Sequence, residues 1–395
     1  MGTSKIYLLI AFAITLVCCK KWDDYKKYTD TGEKIYPYAA AGVKSYPGNQ
    51  RVLLSWVHGI DTRIKTYTIY WNNGADSLIV NATTLKAGDT VKQYITNLAE
   101  ANYSFIIYSK DAEGNRSVPS PAPSVNVYGP KYKASLLNRA VNSVSYSGTT
   151  QLLTVKWNVP DTINLGTQIW YTNTLGEAKI LTIEASQNTS EFSWQVGSKI
   201  YYQSQYKPTA QAIDNFTVHN KDSITIKYVP VPKTAWKKIN LTNDIAANAY
   251  GTSLSWIWDG KSGGYPQIYH SSGGSLPHHF TIDLGAQYTL NKVEEIGRTD
   301  CACHNVTRFE VWGIADVTGA ATTLPADDAG WKQESLNKGW ILLKEVVRSD
   351  NGVEPFNTTL PDGLPPVRFI RIRVLETLDG NIESHMSELS FWYQP

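Results

Sequence analysis

Thiol and thioether chemistry is scarce in this chain: four cysteines and two methionines among 395 residues. Cys18 and Cys19 adjoin near the N-terminus, and Cys301 and Cys303 follow far downstream, so no disulfide framework runs through the domains. The formal net charge is only +2. With no polybasic block, the chain offers no strong field to nucleic acid or to an anionic membrane surface. No long stretch carries apolar residues at a spacing of 3.6. No apolar run reaches the roughly 20 residues that a membrane-spanning helix needs. Also missing are a Gly-x-Ser-x-Gly elbow, a phosphate-cradling glycine loop and a paired metal-ligand motif. A glycoside hydrolase needs two carboxyls roughly 5–10 Å apart across a cleft, and nothing in the sequence singles out such a pair. These absences argue against catalysis.

Aromatic side chains are abundant instead, with 13 Trp and 24 Tyr. Val, Ile and Thr recur in short alternating runs, and branched and aromatic residues suit a half-buried pleated face. The expected fold class is all-β. The length suits two or three domains, each burying its own core.

Near the N-terminus, Lys5 precedes "IYLLIAFAITLV", an apolar stretch of signal-peptide length. Leu16-Val17-Cys18-Cys19 then resembles a bacterial lipobox, which implies a lipoprotein signal peptide over residues 1–18 and lipidation of Cys19. An ordinary signal peptide with incidental cysteines is the alternative. The polar "KKWDDYKKYTDTGEK" makes residues 19–34 a tether. The expected location is the outer membrane, lipid-anchored and exposed at the cell surface.

Strands and turns follow. "RVLLSW" turns Leu54 and Trp56 inward together. "TYTIYWNNG" places Tyr67, Ile69 and Trp71 on one face before a hairpin turn at Asn72-Asn73-Gly74. Tyr103, Phe105 and Ile107 share a further face. About a hundred residues on, "LLTVKW" echoes "VLLSW" and "TQIWYTNTLGEAKIL" echoes "YTIYWNNGADSLIV", a domain-sized duplication. Both segments resemble fibronectin type III sandwiches, over residues 35–129 and 130–230. The motifs "TGEKIYP", "PGNQRVLLSW", "YWNNGADSL" and "YGPKYKASLLNR" also resemble an uncharacterised lipoprotein domain of Bacteroidota. The proline pair in "VPVPKTAW" reads as a linker.

From Trp236 the pattern changes. "IWDG", "IYHSS", "FTIDLG", "FEVWG", "GWILLKEV", "FIRIRVLE" and "SELSFW" occur in the order that resembles a discoidin domain, the type C module of coagulation factors V and VIII. The resemblance covers residues 236–395 and implies a β-sandwich or jelly roll with a ligand site in the loops at one end. Three loops should meet there: "YPQIYHSS", "GRTDCACHN" and "TLDGNIESH". Tyr269, His270, Arg298, His304, Asn305 and His385 are the implied carbohydrate contacts, since such sites pair a stacking ring with a few placed polar groups. In related carbohydrate-binding modules, residues matching Asp259 and Glu388 hold a structural Ca2+ with backbone carbonyls. Cys301 and Cys303 are open to three readings: a small disulfide loop, two free thiols, or metal ligation with His304 and a neighbouring histidine.

The sequence therefore points to a non-catalytic surface lipoprotein that binds glycans, accessory to an outer-membrane polysaccharide importer. An adhesin or assembly subunit gripping a protein partner is the alternative, and a hydrolase the third reading.

Overall fold

The computed structural model describes residues 35–395. The expected signal peptide, lipidated Cys19 and tether lie outside the described residues. The fold is all-β, built from packed pairs of sheets. Among the described residues, contacts divide it into two compact units: residues 35–136 with Tyr206–His219, and Leu137–Gln205 with Asn220–Pro395.

In the first unit, strands Ala41–Pro47, Arg51–Val57 and Thr90–Thr96 form one sheet, in that spatial order. Asp76–Asn81, Thr66–Trp71, Ile106–Lys110 and Ser120–Pro121 form the other. Alternation decides what faces inward. Val52, Leu54 and Trp56 meet Tyr67, Ile69, Phe105 and Ile107 in one core. The turn at Asn72–Gly74 joins the Thr66–Trp71 and Asp76–Asn81 strands as a hairpin, with Asn72 and Asn73 both at positive φ.

The second unit opens with the same strand order. Val141–Ser147, Leu152–Trp157 and Thr189–Ser193 repeat the three-stranded sheet, and Ala178–Glu184, Asn164–Thr172 and Ile200–Tyr206 repeat the facing one. Trp157 takes the place of Trp56, packed edge-on to Tyr202. The duplication read from the sequence is thus a duplication of topology.

The remainder of this unit is a larger sandwich. A five-stranded sheet runs Lys237–Ile239, His278–Tyr288, Val367–Thr377, Val306–Ile314 and Ile341–Val347. The facing sheet runs Val229–Pro230, Glu388–Tyr393, Leu290–Ile296 and Phe356–Thr359. Phe280, Ile282 and Leu284 point into the core between them, as alternation predicts. The proline-flanked segment read as a linker is instead backbone-paired: Val229 and Pro230 lie opposite Tyr393 and Trp392, and the Val231 N–H donates to the Phe391 carbonyl at 2.8 Å. Its edge position tolerates the missing proline donor.

The outer face of the five-stranded sheet is also covered. Trp312, Trp331, Trp340 and Phe369 make a second, smaller core, beneath a segment carrying the short helix Trp331–Asn337. The buried Arg371 guanidinium lies 4.2 Å from the Trp340 ring centre and 5.8 Å from that of Trp331. Cation–π attraction offsets part of its desolvation, although burial still pulls its pKa down to about 10.

Candidate functional site

Five chain segments meet at one end of the C-terminal sandwich. Strand Tyr269–His270 pairs with His385–Met386, setting His270 opposite His385. The Asn305 and His385 backbones form a parallel bridge, and the His385 N–H donates to the His304 carbonyl at 2.9 Å. Three imidazoles consequently cluster. The His385 ring centre lies 4.3 Å from that of His270 and 5.0 Å from that of His304.

Each ring is held through Nδ1. His270 Nδ1 donates to the Ser271 carbonyl at 2.6 Å and His385 Nδ1 to the Cys303 carbonyl at 2.9 Å. His304 Nδ1 meets the Asp379 carboxylate at 2.6 Å. A carbonyl only accepts, so in His270 and His385 the proton sits on Nδ1. Burial, then the neighbouring His270, His304 and Arg298, pushes the His385 pKa down to about 3.

Arg298 reaches Asp300 through Nε at 2.6 Å and a terminal nitrogen at 3.2 Å, which holds the Asp300 carboxyl below its usual range. The same guanidinium lies 5.7 Å from the centre of the Tyr265 ring. The Tyr265 hydroxyl donates to the Tyr250 carbonyl at 2.7 Å, and the Tyr250 ring packs 4.8 Å from His270. Tyr250 is 65% exposed and Tyr265 49%. Tyr250 also adopts φ +54°, a left-handed conformation that is costly for a bulky residue. Close backbone approach completes the site: a Cβ at Gly264 would stand 2.2 Å from Asp300 Cγ.

Two of the expected carbohydrate contacts need correction. Tyr269 is fully buried, its ring 4.7 Å from Phe280 and its hydroxyl near Ser384 and His278. It is a core residue with no free face, and the exposed rings belong to Tyr250 and Tyr265. Asn305 is also fully buried, its carboxamide consumed by the Arg298 and Asn351 backbones, so it positions the loop and offers nothing to a ligand. Arg298, His270, His304 and His385 do come together, but His270 and His385 are buried, 6% and 1% exposed, so they too back the site and leave Arg298 and His304 as the groups open to a ligand. Tyr265 is the first residue of "YPQIYHSS". The signal for both missed tyrosines was an aromatic beside a Gly or Pro in a turn, where no strand face can bury it.

Cys301 and Cys303 are joined by a disulfide, which removes the thiolates that metal ligation would require. Their loop delivers His304 at φ +58°. Among the described residues, no group of three or more His, Cys, Asp or Glu side chains is set to hold a metal ion.

The expected calcium position carries a different arrangement. Lys233 Nζ is in contact with Glu388 Oε1 and donates to Ser390 Oγ at 2.8 Å. Asp259 is exposed and accepts the Lys261 N–H at 2.8 Å within its own turn. Burial pushes the Glu388 carboxyl up to about 7, with Lys233 pulling it down and Asp259 pushing it up. A divalent ion within 4 Å of that ammonium would be repelled by about 8 kcal/mol at an effective dielectric of 20. The donor set as arranged does not fit calcium.

Residues 18–216 match the model of a family described as a domain of unknown function, which ends before this site begins. No curated protein matches the chain. Among solved structures, a SusE-like protein is similar at 24% identity and a TM-score of 0.33, covering 42% of this chain and 99% of its own. A family 32 CBM from C. perfringens NanJ in complex with galactose is similar at 14% identity and a TM-score of 0.31, covering 42% and 98%. A putative chitobiase fragment from Bacteroides thetaiotaomicron is similar at 18% identity and a TM-score of 0.31, covering 42% and 93%.

Proposed function

The chain belongs to the DUF4998 family, a domain of unknown function, and from that premise we propose that it is a non-catalytic glycan-binding protein whose C-terminal sandwich holds the sugar. One observation carries the reading. Tyr265 exposes its ring beside Arg298, and Tyr250 exposes its ring against His270, whose other side faces His304. A pyranose offers an apolar face to the rings and hydroxyls to the polar groups, which is the division such a site requires.

Two carboxylates of the site, Asp300 and Asp379, are unsuited to act as the acid of a hydrolase. A general acid needs a raised pKa near neutrality. Asp300 is held low by Arg298. In Asp379 burial opposes ionisation, but hydrogen bonds from the Asn381 backbone and His304 outweigh it and hold the carboxyl low. The carboxyls that are raised, Glu295 and Glu388, are buried against Arg348 and Lys233.

Lipid anchoring through Cys19, cell-surface exposure on the outer membrane and service to a polysaccharide importer complete the proposal. Among the described residues no helix is long and apolar enough to cross a membrane, which is compatible with attachment by a lipid alone. Tethering would raise the local glycan concentration, so weak single-site affinity suffices.

A second reading has one observation in its favour. Leu378 and Ile382, 45% and 49% exposed, lie on the loop that carries Asp379 and would suit a protein partner. A glycan array carrying galactose-terminated and other neutral glycans separates the two. Signal that falls on Arg298→Ala and on Tyr250→Ala supports sugar binding; a silent array with wild-type protein refutes it.

A further inference from the structure

We propose that Lys233 is the built-in cation of the Asp259–Glu388 site, and that the C-terminal sandwich is pinned by this ammonium where its resemblance leads one to expect calcium. Three observations carry it. The ammonium contacts Glu388 Oε1 and donates to Ser390 Oγ at 2.8 Å, so it bridges two side chains on one face of the last strand. Its position is set by backbone and not by chance side-chain reach. Val229 and Pro230 pair with that same strand, the Val231 N–H donates to Phe391, and the turn Lys233–Ala235 follows at once. The ammonium also lies 5.7 Å from the centre of the buried Trp236 ring, which favours a cation there.

The consequence concerns how the fold holds its end. A free ion must be recruited from solution, whereas an ammonium on the same chain is present at a high effective concentration. Lys233 therefore fastens the strand that enters the sandwich to the strand that leaves it, at any calcium level. Glu388 Oε2 remains buried without a hydrogen-bond partner. Removing the ammonium would leave a buried carboxylate uncompensated beside Asp259, which is the electrostatic condition that draws in a divalent oxygen-seeking ion.

The test uses the full chain and calcium alone. Wild-type protein should show the same Tm in a calcium chelator and in excess calcium, and elemental analysis after dialysis should find no stoichiometric calcium. Lys233→Met should lower the Tm by roughly 5 °C, and added calcium should restore part of that loss. A wild-type Tm that rises with calcium, or calcium carried through dialysis by wild-type protein, overturns the proposal. Should Lys233→Met fail to fold, the wild-type measurements decide the question by themselves. Because the readouts are metal content and Tm, the outcome is separate from whether glycans bind.

Discussion

Asn305 grips Arg298 by both of its backbone groups: Oδ1 accepts the Arg298 N–H at 2.7 Å and Nδ2 donates to the Arg298 carbonyl at 3.0 Å. A third bond runs from Nδ2 to the Asn351 carbonyl at 3.3 Å. Two glycines make room for the carboxamide. A Cβ on Gly297 would stand 2.6 Å from Asn305 Cγ, and one on Gly352, at φ +80°, 2.7 Å from Asn305 Cβ. Asn305→Ala strips three part-buried backbone groups, two of Arg298 and one of Asn351, of this partner, at a cost of about 1–3 kcal/mol. Chemical denaturation should register that loss, and glycan binding should weaken with it although Asn305 touches no sugar. Unchanged stability and unchanged binding would refute this role.

Tyr250 and Tyr269 should separate binding from stability. Tyr250→Ala removes an exposed ring and keeps the Cβ, so the left-handed backbone strain stays as it was; the Tm should hold while glycan affinity falls about tenfold, the worth of one stacked ring. Tyr269→Ala empties a fully buried position against Phe280 and should cost about 3–5 kcal/mol. Calorimetry of folding and of binding on both variants checks the contrast, and the reverse pattern would return Tyr269 to the sugar.

What the sequence made legible was the alternation along single strands. Leu54 with Trp56, and Phe280 with Ile282 and Leu284, could be assigned to a core because period-two patterning is local. What it hid depends on distant partners. Tyr269 is buried because the sandwich packs its ring against Phe280 in the main core, and Tyr265, four residues earlier, is exposed because its turn lies outside any sheet. Local composition treats the two alike. Glu310 and Arg371 point away from the main core, yet the segment carrying Trp331 and Trp340 covers them, and no local pattern announces that cover. Lys233 meets Glu388 across 155 positions, a pairing that only the closed sandwich creates.

Two buried histidines should resist protonation. Burial pushes His278 down to about 4, and burial with His270 beside it pushes His385 down to about 3. Both folded values lie below the unfolded value of about 6.5. Their contribution to stability is therefore complete above that pH and is lost as pH falls toward 4 and 3, on the order of 3 kcal/mol for His278 and about 5 kcal/mol for His385. Glu295 and Glu388, raised to about 7, act in the opposite sense over part of the same window, so global stability blends the two effects. Ring-proton NMR titration isolates the histidines. Neither His278 nor His385 should titrate between about pH 8 and 5, and a midpoint near 6.5 for either ring would refute the argument.

The Glu295–Arg348 pair should behave differently when broken than when replaced. Both side chains are almost fully buried and in direct contact. Arg348 also reaches Asp350 at 2.8 and 2.9 Å and the Glu354 carbonyl at 2.5 Å. Burial pushes the Glu295 carboxyl up to about 7 even with Arg348 drawing it down. Arg348→Met strands that carboxyl and should cost about 3–5 kcal/mol, whereas Arg348→Met with Glu295→Leu should recover most of the loss. The pH dependence has a definite sign. A raised folded value means stability is greatest while Glu295 is protonated and declines as pH rises through 7, so Arg348→Met should lose more at about pH 8 than at about pH 5. Urea titrations of the two variants at both pH values check this. If the single variant loses the same amount at each pH, Glu295 is not the stranded group.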